Sequence, residues 1–533
     1  MTAFVLVSDT YTGGWVWQDV AARLRESGAE VYPVSLTGMG DRRDLAGPGT
    51  DLETHIEDLV QLIDQIDPAG EASEASEAGE VGEVGEAASA CRVVLVGHGY
   101  GIHPVFGAAD RRPERVVRVV NLDAGLAQDG VPALALVPDQ AVRDRLGQQT
   151  EPYGGDDWQI APPALDAWQR SGSVAGVPAD ALERLTRLAA PQPVGTLTQP
   201  LRLSGAAAGI PTTGVLCTAN GSSIAMVESQ VGLGDPRLQV LTEPQVSFFE
   251  LATGHWPMLS APDELAEVLL RAVAGEGHRI EPAGSAQPGH LRPFLLDVTE
   301  RSRERRGRVD LYLPDAEGPR PAVVFVHGGP VPADVRPTPR DWPAFVGYGR
   351  YVASLGAVGV TLDHRMHDLT DFGRAAEDVA DAVEQVRADP RVDGERVALW
   401  FFSGGGLLSA DWLAAPPPWL RCVAATYPVL APMPSWGLTD SRFRPTAAVR
   451  TAGALPIVLT RVELEIPEIA ATAEEFLTAA KDSAARVEVI EVPLGHHGFE
   501  TIDHTDQARD AVRHAVRSVL GHLRLPLDPP ARN

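Results

Sequence analysis

Val397-Ala-Leu-Trp-Phe-Phe402 runs without a break into Ser403-Gly404-Gly405-Gly406, and a segment of helix-forming residues follows. A short, continuous apolar run rich in aromatic side chains and bounded by glycine reads as a strand buried on both faces. A serine on the sharp turn between such a strand and a helix projects its hydroxyl beyond the sheet edge. The helix N-terminus there offers unpaired N–H groups and positive potential to a developing oxyanion. In the plainer alternative Ser403 only caps the helix, and the glycines only permit a tight turn. The first glycine of the usual Gly-x-Ser-x-Gly turn is Phe401 in this chain.

Working outward, a second buried-type strand over 322–326 stops at His327-Gly328-Gly329, which leaves unhindered backbone N–H groups at a strand's carboxyl end. Further strands are predicted over 309–313, 358–362, 422–426, 457–460 and 487–492. Helices are predicted over 345–355, 373–388, 407–414, 470–480 and 507–520. Strands alternating with helices define an α/β fold whose mostly parallel sheet is joined by right-handed crossovers. One strand ends near Glu463-Leu464-Glu465 and a later one at Gly495-His496-His497-Gly498-Phe499. Serine, acid and histidine therefore follow one another in the chain order of elbow-type hydrolases.

His327-Gly-Gly329, Phe402-Ser-Gly-Gly405 and His497-Gly-Phe499 together make residues 296–524 resemble an α/β-hydrolase of the dienelactone-hydrolase and acetyl-esterase kind. The resemblance implies Ser403 as nucleophile, His497 as general base, and an oxyanion hole made by N–H groups of Gly404 and of Gly328 or Gly329. It implies Glu465 as the acid that orients the imidazole, at a position where such proteins usually carry aspartate, with Glu463 as its substitute. No metal and no organic cofactor is expected, because nucleophile, base and oxyanion donors are all protein groups. His364, His367, His496 and His504 lack carboxylate or thiolate companions at ligand spacing, so surface or hydrogen-bonded roles are expected for them.

Residues 1–273 alternate in the same way, with strands predicted over 4–7, 31–34, 92–96, 116–122 and 213–217 and a last strand over 240–241 and 246–251. Helices are predicted over 17–25, 52–66 and 262–273. The insertion over about 126–209 is expected to be a helical cap, since structureless loops of that length are rare in compact domains. Gly13-Gly-Trp-Val-Trp17, Gly97-His-Gly-Tyr-Gly101, Leu122-Asp-Ala124 and Gly254-His-Trp256 resemble the methylesterase and hydroxynitrile-lyase branch of the same superfamily. By that resemblance Gly99 holds the nucleophile position, Asn220 the acid position and His255 the base position, and Ser8-Asp9 replace the usual His-Gly of the oxyanion loop. A glycine forms no acyl intermediate, and an asparagine does not stabilise an imidazolium as a carboxylate does. This half is expected to be a degenerate site that has lost nucleophile and carboxylate, with Asp123 a structural strand-end residue.

A chain of 533 residues exceeds what one core organises, so tandem α/β-hydrolase domains are expected over 1–273 and 296–524, with a Gly/Pro-rich linker over 274–295 and a tail over 525–533. Glutamates at 71, 74, 77, 80, 83 and 86 recur with a period of neither helix nor strand, so residues 70–90 read as an acidic, solvated loop. The balance of 45 basic against 72 acidic residues, a net −27, argues against nucleic acid and anionic membranes as partners. Lys481 is the one lysine, and an arginine skew of this kind fits a GC-rich bacterial coding bias. Cys91, Cys217 and Cys422 are too few for a disulfide framework, and no stretch reads as a signal peptide or a membrane span. A cytoplasmic protein is therefore expected.

The function expected from these features is a serine hydrolase that cleaves a small carboxylic ester through an acyl-enzyme on Ser403. Trp436 and Phe443, in the short segment before Pro456, favour a fairly open, apolar pocket. The partner is a small-molecule ester, and a homo-oligomer is left open. The alternatives are a binding or assembly protein, or a lyase or isomerase that uses the N-terminal pocket and His255 as a lone general base.

Overall fold

The computed structural model describes residues 2–66, 92–137, 140–147, 158–282, 287–438 and 442–525. The chain divides into two compact units, Met1–Glu228 with Gln239–Pro282, and Ser229–Leu238 with Ala283–Asn533. The acidic segment 70–90, Cys91 and residues 526–533 of the tail lie outside the described residues. Cys217 and Cys422 are buried free thiols.

In the first unit the strands are β1 (Thr2–Val7), β2 (Glu30–Val34), β3 (Arg92–His98) and β4 (Val116–Leu122), then β5 (Gln159–Ile160) and β6 (Gln192–Pro193), then β7 (Thr212–Cys217) and β8 (Val246–Leu251). β5 and β6 form a small antiparallel ribbon of their own. The other six make one parallel sheet in the order β2-β1-β3-β4-β7-β8. Phe4, Val5, Leu6 and Val93 to Val96 are wholly buried, as a parallel sheet covered by helices on both faces requires. The helix Leu52–Gln65 starts at a capping box, in which Asp51 accepts from Thr54 N at 2.9 Å and Thr54 Oγ1 accepts from Asp51 N at 3.3 Å. The described part of the insertion between β4 and β7 holds the helices Gln140–Gly147, Ala179–Leu188 and Val194–Thr198, several single turns and the β5–β6 ribbon.

The second unit follows with β9 (Arg303–Arg306), β10 (Val309–Tyr312), β11 (Arg320–Val326), β12 (Val358–Leu362), β13 (Val392–Phe402), β14 (Leu420–Thr426), β15 (Ile457–Leu464) and β16 (Val487–His496). They form an eight-stranded sheet in the order β16-β15-β14-β13-β11-β12-β10-β9. β11 to β16 are parallel where they pair, whereas β10 runs antiparallel to β12 and to β9. In each sheet the chain steps to one side of a central strand and then returns to its other side, so strand order reverses between β1 and β3 and between β11 and β13. A crevice outside the carboxyl ends opens at such a reversal.

The structure departs from the sequence-based expectation in three places. The segment over 407–414 is a 3-10 turn, Ser403–Ser409, followed by a short α-helix, Ala410–Ala414. A Cβ on Gly404, Gly405 or Gly406 would meet neighbouring backbone oxygens at 2.1 to 2.6 Å, so the chain is wound tightly against the adjoining loops there. Residues 240–241 belong to the 3-10 segment Pro236–Thr242 and not to a strand. β9, Arg-Glu-Arg-Arg, has no apolar signature. It is held by its arginines, Arg305 binding the fully buried Asp310 of β10 through two bonds of 2.9 and 2.8 Å. Among the described residues no helix is long and apolar enough to cross a membrane.

Candidate active sites

Ser403 directly follows β13 with φ of +50°, a left-handed conformation that side chains other than glycine rarely adopt. The loop after β11 passes against this turn. A Cβ on Gly328 would sit 2.8 Å from Ser403 Cβ, and one on Gly404 would sit 2.1 Å from the Gly329 carbonyl oxygen. Glycine alone allows that approach, which brings the N–H of Gly404, at the start of a helical turn, beside the Gly328-Gly329 backbone. Phe401, at the position of the missing elbow glycine, is wholly buried and registers against Val326 and Ala425.

His497 follows β16 and Glu465 follows β15. The imidazole lies 2.7 Å from Ser403 Oγ through Nε2 and 2.9 Å from Glu465 Oε1 through Nδ1. With Nδ1–H donating to the carboxylate, Nε2 is left to accept the serine proton. Glu465 also accepts the N–H of Ile466 at 2.8 Å, and its side chain is only 7% exposed. Glu463 instead accepts the N–H of Leu494 at 2.8 Å and does not bond the imidazole.

The surroundings of this imidazole were not legible in the sequence. The ring of Tyr427, at the end of β14, lies 4.5 Å from that of His497 between centroids, and its hydroxyl donates to Glu500 Oε2 at 2.8 Å. Tyr348 donates to the other oxygen at 3.0 Å. Glu500 is 1% exposed, and burial pushes its carboxyl up to about 7 against the pull of both hydroxyls. A cavity of about 420 Å³ opens beside Tyr427, Pro428, Glu465 and Ile469, with Arg461 and Glu474 on its wall. Phe443 is buried against Phe372 at 5.6 Å between centroids.

Three of the other histidines named from the sequence have hydrogen-bonded roles, and His504 is exposed. His364 stacks on His327 at 3.7 Å and reaches the His327 carbonyl oxygen at 2.9 Å, and burial drives its imidazole down to about 4. His367 bonds the Val331 carbonyl oxygen at 2.9 Å, and His496 pairs with Asp503 at 3.0 Å.

The first unit keeps the same backbone turn without the hydroxyl, since Gly99 follows β3 with φ of +52°. The expectation that its carboxylate is missing is corrected by the structure: His255 Nδ1 lies 2.7 Å from Asp123 Oδ2. Asp123 stands at the end of β4, which neighbours β7 in the sheet, so the strand end that supplies the acid lies beside the one that carries Asn220. Asn220, at the end of β7, does not bond His255. Its Nδ2 donates to Asp123 Oδ2 at 2.7 Å, and its Oδ1 accepts the N–H of Ser173 at 2.8 Å, which ties the insertion to the acid.

Asp9 fills the rest of the site. Its Oδ2 is 3.0 Å from His255 Nε2, and its Oδ1 accepts the N–H of Tyr100 at 2.6 Å. Tyr100 follows Gly99 as Gly404 follows Ser403, so one carboxylate occupies both the hydroxyl's place against the imidazole and the oxyanion's place on the elbow N–H. Burial alone would lower the basicity of His255, but the flanking carboxylates outweigh it and raise the imidazole to about 10. Burial likewise opposes ionisation of Asp9, and the imidazolium more than compensates, holding that carboxyl below its ordinary value. Gly172 lies directly over the ring: a Cβ there would come within 2.5 Å of His255 Cγ, and the neighbouring Ser173 carbonyl accepts the His255 N–H at 2.7 Å. The only sequence signal for this arrangement was a carboxylate, Asp9, at the end of a buried strand.

Elbow turns at the strand-order reversals of parallel sheets, each faced by an imidazole from the last strand's end, define the α/β-hydrolase class. The chain belongs to the alpha/beta hydrolase family, whose model matches residues 4–268. It is 31% identical over 278 residues to the carbendazim hydrolyzing esterase of Nocardioides sp. (strain SG-4G), an alignment that covers 50% of this chain and 98% of that protein. A methylesterase from Arabidopsis has a solved structure similar over 51% of this chain and 99% of its own, at 18% identity and a TM-score of 0.38. Tomato methylketone synthase I complexed with 2-tridecanone is similar over 51% and 98%, also at 18% identity and a TM-score of 0.38.

Proposed function

We propose that this chain is a serine esterase in which the second unit, an α/β-hydrolase domain in tandem with the first, cleaves a small carboxylic ester through an acyl-enzyme on Ser403. The reading is carried by one observation, the His497 imidazole set between Ser403 Oγ at 2.7 Å and Glu465 at 2.9 Å beside a left-handed elbow. Ser403 Oγ attacks the ester carbonyl while His497 Nε2 takes its proton, and Glu465 stabilises the imidazolium. The N–H groups of Gly404 and of Gly328 or Gly329 receive the oxyanion. Collapse returns the proton to the departing alcohol. Water, activated by the same imidazole, then releases the acid and restores the serine.

The family match and the esterase relative support an ester as the substrate class. The match lies over residues 4–268, where the elbow carries Gly99 and the anion site holds Asp9. In this proposal the first unit is therefore a hydrolase-fold domain without hydrolysis of its own, and the chemistry has passed to the second. The Gly172 backbone over His255 also disfavours a lyase or isomerase there, because a substrate would need that space. Incubation with a fluorophosphonate tests the proposal. The intact chain should take up one label, and Ser403→Ala should take up none; a label that persists in that variant overturns the assignment.

A further inference from the structure

We propose that Glu500 is a positioning residue for the His497 base and acts on it through Tyr427. The inference rests on the assignment of Ser403 and His497 above. In the first unit the residue after β4 is Asp123, with φ of +45°, and it touches the imidazole directly. The corresponding residue after β14 in the second unit is Tyr427, with φ of +36°, which places an aromatic ring against the imidazole where the first unit places a carboxylate. The carboxylate in the second unit stands one side chain further back. Glu500 Oε2 accepts the Tyr427 hydroxyl at 2.8 Å, and Glu500 Oε1 accepts that of Tyr348 at 3.0 Å.

Three observations distinguish this group from an ordinary buried acceptor. Glu500 is 1% exposed, and among the described residues no lysine or arginine pairs with it, although a buried carboxyl without a cation is costly to keep. It sits three positions after His497, in the short helix Phe499–Ile502 that begins as soon as the His497 loop turns at Gly498, and its own carbonyl accepts the N–H of Leu295 at 2.9 Å. The loop carrying the base is thus pinned at Glu500 by side chain and main chain together. The ionisable groups that face it are Tyr348, Tyr427 and His497. The first two stay neutral because burial raises both phenols far above their ordinary range. When His497 takes the serine proton, Glu465 meets the new charge directly, and Glu500 is the carboxyl behind Tyr427 that responds to it. Its carboxyl, raised to about 7, changes charge within the working range of a histidine base.

The expected consequence is a pH dependence that a purely structural bond would not produce. Above neutrality the ionised Glu500 favours the imidazolium formed in the transition state. In the intact chain, kcat for a nitrophenyl ester should therefore gain a rise through about pH 7 in addition to that of the base itself. Glu500→Gln keeps the shape and removes the charge. It should lose that rise and lower kcat at pH 8 by about 10-fold, the equivalent of one pKa unit, with KM unchanged. Tyr427→Phe keeps the ring on His497 and cuts the link, so it should change the profile in the same direction, and the double variant should be no slower than the slower single one. Tyr427→Phe carries the test if Glu500→Gln does not fold. A wild-type profile in the folded variants, with only a lower Tm, overturns the role of Glu500 while fluorophosphonate labelling of Ser403 stands. Absence of labelling in the wild type overturns the Ser403 assignment and this inference with it.

Discussion

The Cγ of Asp9 lies 2.3 Å from the point where a side chain on Gly99 would begin. The first elbow is therefore not an empty serine position. The carboxylate that takes its space is held on one side by the Tyr100 N–H and on the other by the His255 imidazole. The glycine at the elbow and the internal anion beside it form one structural arrangement.

Restoring the serine alone should accordingly fail. In a Ser403→Ala background, Gly99→Ser is expected to take up no fluorophosphonate, because its side chain collides with Asp9. Gly99→Ser combined with Asp9→Gly frees the elbow N–H and the imidazole and should label. Equal labelling of the single and double variants would show that Asp9 is not the obstacle.

His255 should remain protonated well above the range of a free histidine. Its folded-state pKa, about 10, exceeds the ordinary 6.5, so the stability it contributes is complete below about pH 6.5 and is lost as pH rises through about 10. Asp9 has the opposite sign: its lowered pKa contributes stability above the ordinary carboxylate value, and that stability is lost as pH falls through the depressed one. Histidine side-chain NMR at pH 8 should find this ring carrying both protons; a ring that titrates near 6.5 contradicts the two-carboxylate arrangement.

Asp123 holds the other side of the same ring at 2.7 Å with its side chain 1% exposed. Asp123→Ala leaves a buried imidazolium with one partner fewer, and breaking a buried pair in this way costs about 3–5 kcal/mol. Denaturant unfolding of the full chain would register the loss as a fall in the midpoint of the first unit's transition. A change below about 1 kcal/mol, the value of an exposed pair, would mean that the triplet is not held as described.

The two candidate acids of the second unit should separate cleanly. Glu465→Gln removes the charge that stabilises the His497 imidazolium and is expected to lower kcat by about 10⁴-fold, the loss seen when a triad acid becomes its amide. Glu463→Gln, which touches only the Leu494 N–H, should leave kcat within about twofold of wild type, since exposed substitutions typically shift free energies by no more than about 0.5 kcal/mol. A reversed order of the two effects would move the acid to Glu463.

The strands at Val116–Leu122 and Val358–Leu362 and the helix Pro262–Val273 coincide with the segments read from the sequence, because burial writes apolar residues into the chain at the spacing of the element it covers: a nearly continuous run in the fully buried Val358–Leu362, and one apolar stripe in the helix. The serine and histidine of the second unit were legible for a related reason, since each sits at the end of such a run beside glycine. β9 was not legible, because its strand is held by arginines bound to buried Asp310 and not by apolar burial. Glu500 and Tyr427 were passed over as well. They approach the base from two separate loops, and no spacing along the chain records that.

The amino-acid order by itself determined which segments become strands and which side chains stand at their carboxyl ends, for both properties are local. It did not determine which strand end supplies the acid in the first unit, nor that Asp9 closes the site there. Those follow from strand order: β1 lies beside β3, and β4 beside β7, so Asp9 meets Gly99, and Asp123 holds the imidazole while Asn220 holds Asp123, across chain separations that no periodicity spans. Convergence of distant strand ends on one point is a property of the assembled sheet, because hydrogen-bonded register, and not neighbourhood in the chain, sets which side chains come within reach.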